Sequence, residues 1–155
     1  MLFITPLFCF GQYTAIPDTV FEQALINLGY DNVIDGQVQT TNIVSINSLD
    51  VSSGYIMDLT GIEDFSSLSS LNCSYNGLIN LDVSNNTALT HLNCSYNGIL
   101  DLELSSNTSL NYLNCIENNS LTTLNLNSHP NLDSLICGSF NSPPSLSYIS
   151  LNNFA

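Results

Sequence analysis

Apolar residues recur at fixed intervals through the middle of the chain. Segments 68–88, 89–109 and 110–131 share the pattern L-x-x-L-x-C-x-x-N-x-L-x-x-L-x-V/L, and the heptad LNCSYNG occurs at both 71–77 and 92–98. The alternation around Leu71 and Leu92 predicts short strands with apolar side chains pointing inward. A unit this short cannot bury its own apolar face, so we expect successive coils to stack over one common core.

Four cysteines mark the same position in successive coils, with intervals of 94 − 73 = 21, 115 − 94 = 21 and 137 − 115 = 22. Equal phase predicts an inward column of free thiols, formed by Cys73, Cys94, Cys115 and Cys137. Disulfides or a metal site are the alternatives, although no CxxC or Cys/His pairing suggests zinc. At the turn after each strand, an inward amide is expected to satisfy buried backbone groups, which predicts an asparagine ladder of Asn76, Asn97 and Asn118. Asn118 fits this ladder less well, because an inserted residue follows it.

Segments on either side of the array complete the predicted organisation. The apolar run MLFITPLFCF predicts a signal peptide over residues 1–11, with a buried edge strand as the alternative and a start upstream of Met1 left open. Residues 12–40 are predicted to form an N-terminal helical cap. Its helix begins with Asp18 or Thr19 as the N-cap and stops at Gly29, and its apolar face consists of Phe21, Ala24, Leu25 and Leu28. The repeat array is predicted over 41–155, with Val51 at the cysteine position of a diverged first coil. Leu146, Ile149 and Leu151 repeat the L-x-x-L-x-L pattern near the C-terminus. The C-terminus is therefore predicted to be either a truncation of the array or an edge that docks to another molecule.

These motifs are the leucine-rich repeat signature. The phrase I-x-D-L-T-G-I-E-D-F at 56–65 resembles the turn of internalin-like bacterial repeats. From Ile16 to about Phe140, the chain resembles secreted leucine-rich repeat proteins of the Bacteroidetes, which join an I-P-D-x-x-F-E-x-A-L-I-x-L-G-Y-D cap to L-x-C-x-x-N coils. The resemblance implies an α/β solenoid with short parallel strands on its concave face. It also implies a secreted or cell-surface adhesion or interaction module.

Charge narrows the classes of partner. The chain has 13 Asp plus Glu residues and no Lys or Arg, giving a formal net charge of −13. Nucleic acid binding depends on Lys and Arg contacts to phosphates, so it is excluded as a function class. Electrostatic docking on anionic lipid is disfavoured for the same reason, and no apolar run is long enough to insert the mature chain into a membrane.

Outward strand positions are the candidate binding site. The phase predicts three exposed columns: 48, 70, 91, 112 and 134; 50, 72, 93, 114 and 136; and 52, 74, 95, 116 and 138. Amides, hydroxyls and aromatic rings suit protein or carbohydrate ligands, and the candidate ligand-binding residues are Asn72, Tyr75, His91, Asn93, Tyr96, Tyr112 and Asn114. The alternative is that the asparagines only stabilise stacked strands, as in a structural spacer or surface component that assembles end to end at its C-terminal edge.

No catalytic or cofactor site is predicted. Asp31 to Gly36 has the look of a calcium loop, but Val33 stands where an oxygen ligand is needed, and a glycine turn is the preferred interpretation. The two histidines, His91 and His129, fall on an exposed strand face and in a turn. No Ser/His/Asp or Cys/His constellation follows from the spacing. We therefore predict a binding protein without catalytic residues, metal or cofactor.

Overall fold

The computed structural model describes residues 12–140, 146 and 148–151. The predicted signal peptide at 1–11 lies outside these residues. The N-terminal segment contains β1 (Tyr13–Ala15), α1 (Thr19–Asn27), β2 (Gln37–Gln39) and the one-turn helix α2 (Thr40–Ile43), and β1 pairs with β2 in antiparallel fashion. Within the described part of the chain, no helix has the length and apolar character needed to cross a membrane.

Helix α1 begins where the sequence predicts it. Asp18 is its N-cap, and one carboxylate oxygen accepts from the Val20 and Phe21 amides at 2.8 and 3.0 Å, which satisfies donors that a helix start leaves unpaired. Phe21 and Leu25 are fully buried. Leu28 was wrongly placed on the apolar face: it is exposed, because the helix has already ended at this C-cap residue.

The described residues after α2 wind into stacked coils. Its strands are β3 (Ser48–Asp50), β4 (Ser70–Asn72), β5 (His91–Asn93), β6 (Tyr112–Asn114), β7 (Thr123–Leu126), β8 (Ser134–Ile136) and β9 (Tyr148–Leu151), and a 3-10 turn spans Ile62–Asp64. One parallel five-stranded sheet has the order β3-β4-β5-β6-β8. Ser48, Ser70, His91, Tyr112 and Ser134 are register partners along it. This is the register that the 21- and 22-residue spacing predicts.

The core runs through the inside of the coils. The middle residue of each of the first four strands of the sheet, Leu49, Leu71, Leu92 and Leu113, is buried, as are the repeat positions Leu78, Val83, Ile99 and Leu104. Each fully buried aliphatic side chain contributes about 1.5–3 kcal/mol. Since every coil presents the same positions, stacking makes the core continuous along the solenoid.

The last L-x-x-L-x-L motif does not add a strand to this sheet. β9 pairs in parallel with β7, with Ile149 opposite Leu124. β7 occupies the later part of its coil, so β9 continues a second, two-stranded sheet on another side of the solenoid. Tertiary packing thus decided which side of the coil this segment joins.

The N-terminal segment contacts the first coil directly. The second carboxylate oxygen of Asp18 accepts from the Met57 and Asp58 amides at 2.8 and 3.0 Å. Thr14 donates to Asp64 at 2.6 Å. A solubilising role for this helical segment as the end cap of the array stays a prediction.

Candidate ligand-binding face

The predicted face lies along the five-stranded sheet. Among its candidate residues, His91 and Tyr75 are exposed, while Asn72, Asn93, Tyr96, Tyr112 and Asn114 are half-buried. The third predicted column was wrong at Ser74 and Ser95, which are buried. Both serines follow strands of only three residues and turn back to bond the asparagine two residues earlier.

The asparagines at the strand ends present donors. The side-chain oxygen of Asn93 accepts from the Ser95 amide at 3.2 Å and its hydroxyl at 2.7 Å, and Asn114 accepts from the Ile116 amide at 3.2 Å. These local bonds use the oxygens and orient the amide groups. Among the described residues, the Nδ2 groups of Asn93 and Asn114 have no hydrogen-bond partner, whereas that of Asn72 donates to Asp50 at 3.0 Å. The row therefore offers fixed N–H donors to an acceptor-bearing ligand.

Tyr75 and Tyr96 form a stacked pair. Their ring centroids are 4.2 Å apart and the planes differ by 9°. Both residues have left-handed backbone, with φ of 55° and 54°, as do Ser53 and Glu117 at the same position of neighbouring coils. Their amides donate to the next coil, Tyr75 to Ser95 O at 3.0 Å and Tyr96 to Ile116 O at 2.9 Å. Because the same left-handed φ recurs at this position in four coils, it is a property of the repeated turn, and one that few non-glycine residues adopt.

A second aromatic pair begins the strands. His91 and Tyr112 have centroids 5.9 Å apart and planes that differ by 22°. Thr90 fixes the His91 ring through a 3.0 Å contact between its hydroxyl and Nδ1. Within one coil, His91 is followed by Asn93 and then by Tyr96. Aromatic rings and an amide donor therefore alternate along the face. A hydrogen bond with the Tyr75 side chain raises the pKa of Tyr96.

The four repeat cysteines are free thiols. Cys73, Cys94 and Cys115 are buried directly after their strands, and Cys137 is only half-buried. Burial raises the pKa of Cys73 and of Cys115 to about 12 and that of Cys94 well above its usual value. Cys137 follows the last strand of the sheet, which explains its partial exposure. Three of the four predicted core thiols are thus enclosed and uncharged.

No family model and no curated protein matches the sequence. The functional domain of InlJ from Listeria monocytogenes, which includes a cysteine ladder, is 32% identical over 81% of this chain, with a TM-score of 0.72. An internalin from the same species, InlF of strain 4b F2365, is 19% identical over 88% of the chain, with a TM-score of 0.63. The chain spans 28% and 56% of those two structures, respectively.

The chain is a leucine-rich repeat solenoid. The parallel sheet, its register and the internalin structures confirm the predicted fold class. The predicted resemblance to internalin-like repeats is confirmed at the level of structure. These similar structures are internalins rather than enzymes.

The asparagines placed in the ladder hold the turns of the solenoid. Asn97 accepts from the Leu78 amide at 3.0 Å and donates to the Cys73 and Cys94 carbonyls, each at 3.0 Å. Asn76 has the equivalent bonds one coil earlier. Asn118 makes the same set despite the insertion, accepting from Ile99 and donating to Cys94 and Cys115. Their bonds are internal, which separates them from the outward amides of Asn93 and Asn114.

A second ladder escaped sequence reasoning. Asn86 and Asn107 are fully buried, and Asn107 donates to the Val83 and Asn86 carbonyls at 2.9 and 3.0 Å. His129, predicted in a turn, occupies the next place and is buried, with Nε2 3.0 Å from the Leu104 carbonyl. The signal was the asparagine of the repeated N-T at 86–87 and 107–108. The regular spacing of this asparagine indicates a structural role, but its polar side chain would ordinarily be expected at the surface.

The segment with the look of a calcium loop is held by a carboxylate. Fully buried Glu22 accepts from the Asp35, Gly36 and Gln37 amides at 2.8, 2.7 and 3.2 Å. Nothing in the sequence marks Glu22 for this role, because a single charged residue in a helix usually faces water. Across the described residues there is no group of three or more His, Cys, Asp or Glu side chains arranged to hold a metal ion. The loop is therefore organised by Glu22.

Proposed function

We propose that this chain is a secreted or cell-surface binding module whose concave face recognises a protein or glycan and performs no catalysis. The observation that carries the proposal is the stacked Tyr75–Tyr96 pair beside the free Nδ2 donors of Asn93 and Asn114. Similarity to internalins supports a module for binding or adhesion in general. No cofactor or metal is part of the proposal.

The chemistry of the face favours ligands with exposed oxygens. Aromatic rings pack against apolar faces, including those of sugars, and their edges and hydroxyls remain polar. The asparagine amides donate to carbonyl or hydroxyl oxygens. Because the left-handed turns and the interstrand bonds fix these groups before binding, little side-chain ordering is required of the protein. A backbone carbonyl row on a protein or the hydroxyls of a glycan fits this arrangement.

The test is a Tyr75→Ala/Tyr96→Ala double variant. Glycan arrays and pull-downs with the wild type identify a ligand, and titration then compares the affinities of the two proteins. Aromatic anchors at an interface centre cost about 2 kcal/mol or more on truncation, or roughly thirtyfold in Kd. Tyr55→Ala is the matched control, since Tyr55 is also exposed and left-handed but lies outside the stacked pair. Equal affinity of the double variant and wild type would place the binding site elsewhere.

The spacer hypothesis makes a different prediction. If the chain is a structural component that assembles through its C-terminal edge, the size of its assemblies should increase with protein concentration. This increase should not depend on Tyr75 and Tyr96. Light scattering over a concentration series measures this directly. Concentration-dependent assembly, together with no ligand in the screens, would replace the binding proposal.

A further inference from the structure

A second surface lies on the part of each coil that follows the inward asparagine. Met57, Ile79 and Leu100 occupy the same position in three successive coils, since 79 − 57 = 22 and 100 − 79 = 21. They are 74%, 54% and 53% exposed, and the Leu100 amide donates to the Ile79 carbonyl at 3.1 Å. Neighbouring coils therefore place the three side chains in one apolar stripe. Contiguous exposed apolar surface marks an interaction site more often than a scattered residue does.

The first half of this stripe borders a groove of about 650 Å³. Leu59, Ile62 and Leu81 are buried in its floor, and Met57 and Ile79 project at its edge. Its remaining lining is polar and includes three carboxylates, those of Asp58, Glu63 and Asp82. We call this surface the acidic groove.

Each of these carboxylates has one oxygen committed to its own turn. Asp58 accepts from the Thr60 amide at 2.8 Å, Glu63 from the Gly61 amide at 2.8 Å, and Asp82 from the Ser84 amide at 2.9 Å. Asp58 and Glu63 each keep a second oxygen that has no hydrogen-bond partner among the described residues. The Ser84 hydroxyl and amide both bond the Asp82 carboxylate and lower its pKa. The turns thus hold three carboxylates in the lining of a groove with an apolar floor.

Nothing in the chain can neutralise that charge. There is no Lys or Arg, His129 is buried, and His91 lies on the five-stranded sheet. A second copy of this chain, with a formal charge of −13, would bring more carboxylates to the groove and be repelled. The complementary occupant carries positive charge beside apolar side chains.

We propose that the acidic groove docks a segment of a partner polypeptide in which Lys or Arg side chains flank apolar ones. Apolar side chains of that segment cover Met57 and Ile79 and fill the groove. Its basic groups reach the carboxylates of Asp58, Glu63 and Asp82. This site is separate from the aromatic and asparagine groups of the proposed concave-face site.

The test begins with a random peptide library displayed on phage and selected on the full chain. Peptides that bind a Met57→Ser/Ile79→Ser variant are removed in each round. The expected result is enrichment of sequences that combine Lys or Arg with apolar residues. Failure to enrich any peptide, or enrichment of sequences without basic residues, overturns the proposal.

One enriched peptide is then titrated by fluorescence anisotropy. Asp58→Asn/Asp82→Asn keeps the turn acceptors and removes two charges, so it should weaken binding by about tenfold. The matched control, Asp35→Asn/Asp133→Asn, removes the same charge away from the groove and should change Kd by less than about threefold. Equal weakening by both variants means attraction to net charge alone and overturns the proposal. The same holds if light scattering shows an oligomer of the wild type that Met57→Ser/Ile79→Ser dissociates.

Discussion

Replacing Asn118 by alanine tests the idea that an internal amide holds each turn of the solenoid. The side-chain oxygen accepts from the Ile99 amide at 3.1 Å, and Nδ2 donates to the Cys94 and Cys115 carbonyls at 3.0 and 3.1 Å. The residue is buried, so water cannot easily replace these bonds. Leaving a buried polar group unpaired costs about 1–3 kcal/mol, and a carbonyl tolerates the loss better than an N–H. We therefore expect a total cost of about 3 kcal/mol.

Urea unfolding followed by circular dichroism measures this cost. With a slope of about 2 kcal/mol per molar urea, the midpoint should fall by about 1.5 M. Asn119→Ala is the matched control, because Asn119 is exposed and, among the described residues, its side chain has only a 3.4 Å hydrogen bond to Glu117. The cost of this control substitution should stay within about 0.5 kcal/mol. If the two alanine variants unfold at the same urea concentration, the inward ladder does not stabilise the coils as argued.

Three further predictions concern the junction with the first coil, one glycine and the thiols. Asp18→Ala removes a cap and the link to the first coil, and should cost about 2 kcal/mol. Burial acts to raise the pKa of Asp18, but four backbone N–H bonds outweigh it and lower the pKa below 3.8. The difference in unfolding free energy between wild type and variant should therefore be complete above about pH 4. It should shrink as the pH falls through the lowered pKa. A constant difference in urea melts down to pH 2 would contradict this. Gly61→Ala should destabilise the fold by more than about 1 kcal/mol, and by more than Gly36→Ala, because at φ 103° its Cβ would meet the Ala15 carbonyl oxygen at 2.6 Å, whereas Gly36 has open space; thermal melts ranking the two in the opposite order would refute the clash. Iodoacetamide should label the buried thiols only after denaturation and label Cys137 sooner, because burial keeps the enclosed thiols protonated. Mass spectrometry after cleavage at acidic residues measures the labelling of each cysteine. If Cys73, Cys94 or Cys115 is labelled in the native protein as fast as Cys137, the enclosed column is excluded.

The repeat spacing by itself determined the architecture. The repeat recurs every 21 or 22 residues with leucines at constant positions. The coils can bury all of these leucines only by stacking in register. The sequence could therefore predict the parallel sheet, the inward direction of Leu71 and Leu92, and the start of α1 at Asp18. Equal phase also predicted that the cysteines follow the strands on the core side. These features depend on periodicity and local capping, which are properties of the chain itself.

Tertiary structure alone decided the fate of individual polar and apolar side chains. Leu78 and Ile79 are adjacent and both apolar, yet only packing against neighbouring coils determines that the first is buried and the second is exposed. Glu22 is buried because amides from a loop 13 to 15 residues away converge on it.

The candidate face shows the same division. Spacing placed the asparagines on one sheet and Tyr75 and Tyr96 just after its strands. The free Nδ2 groups and the left-handed backbone of the two tyrosines depend on bonds from the following coil and turn. Periodicity specifies which positions are equivalent. Contacts between distant segments decide what each equivalent position does, because burial and hydrogen-bond pairing exist only once the coils are stacked.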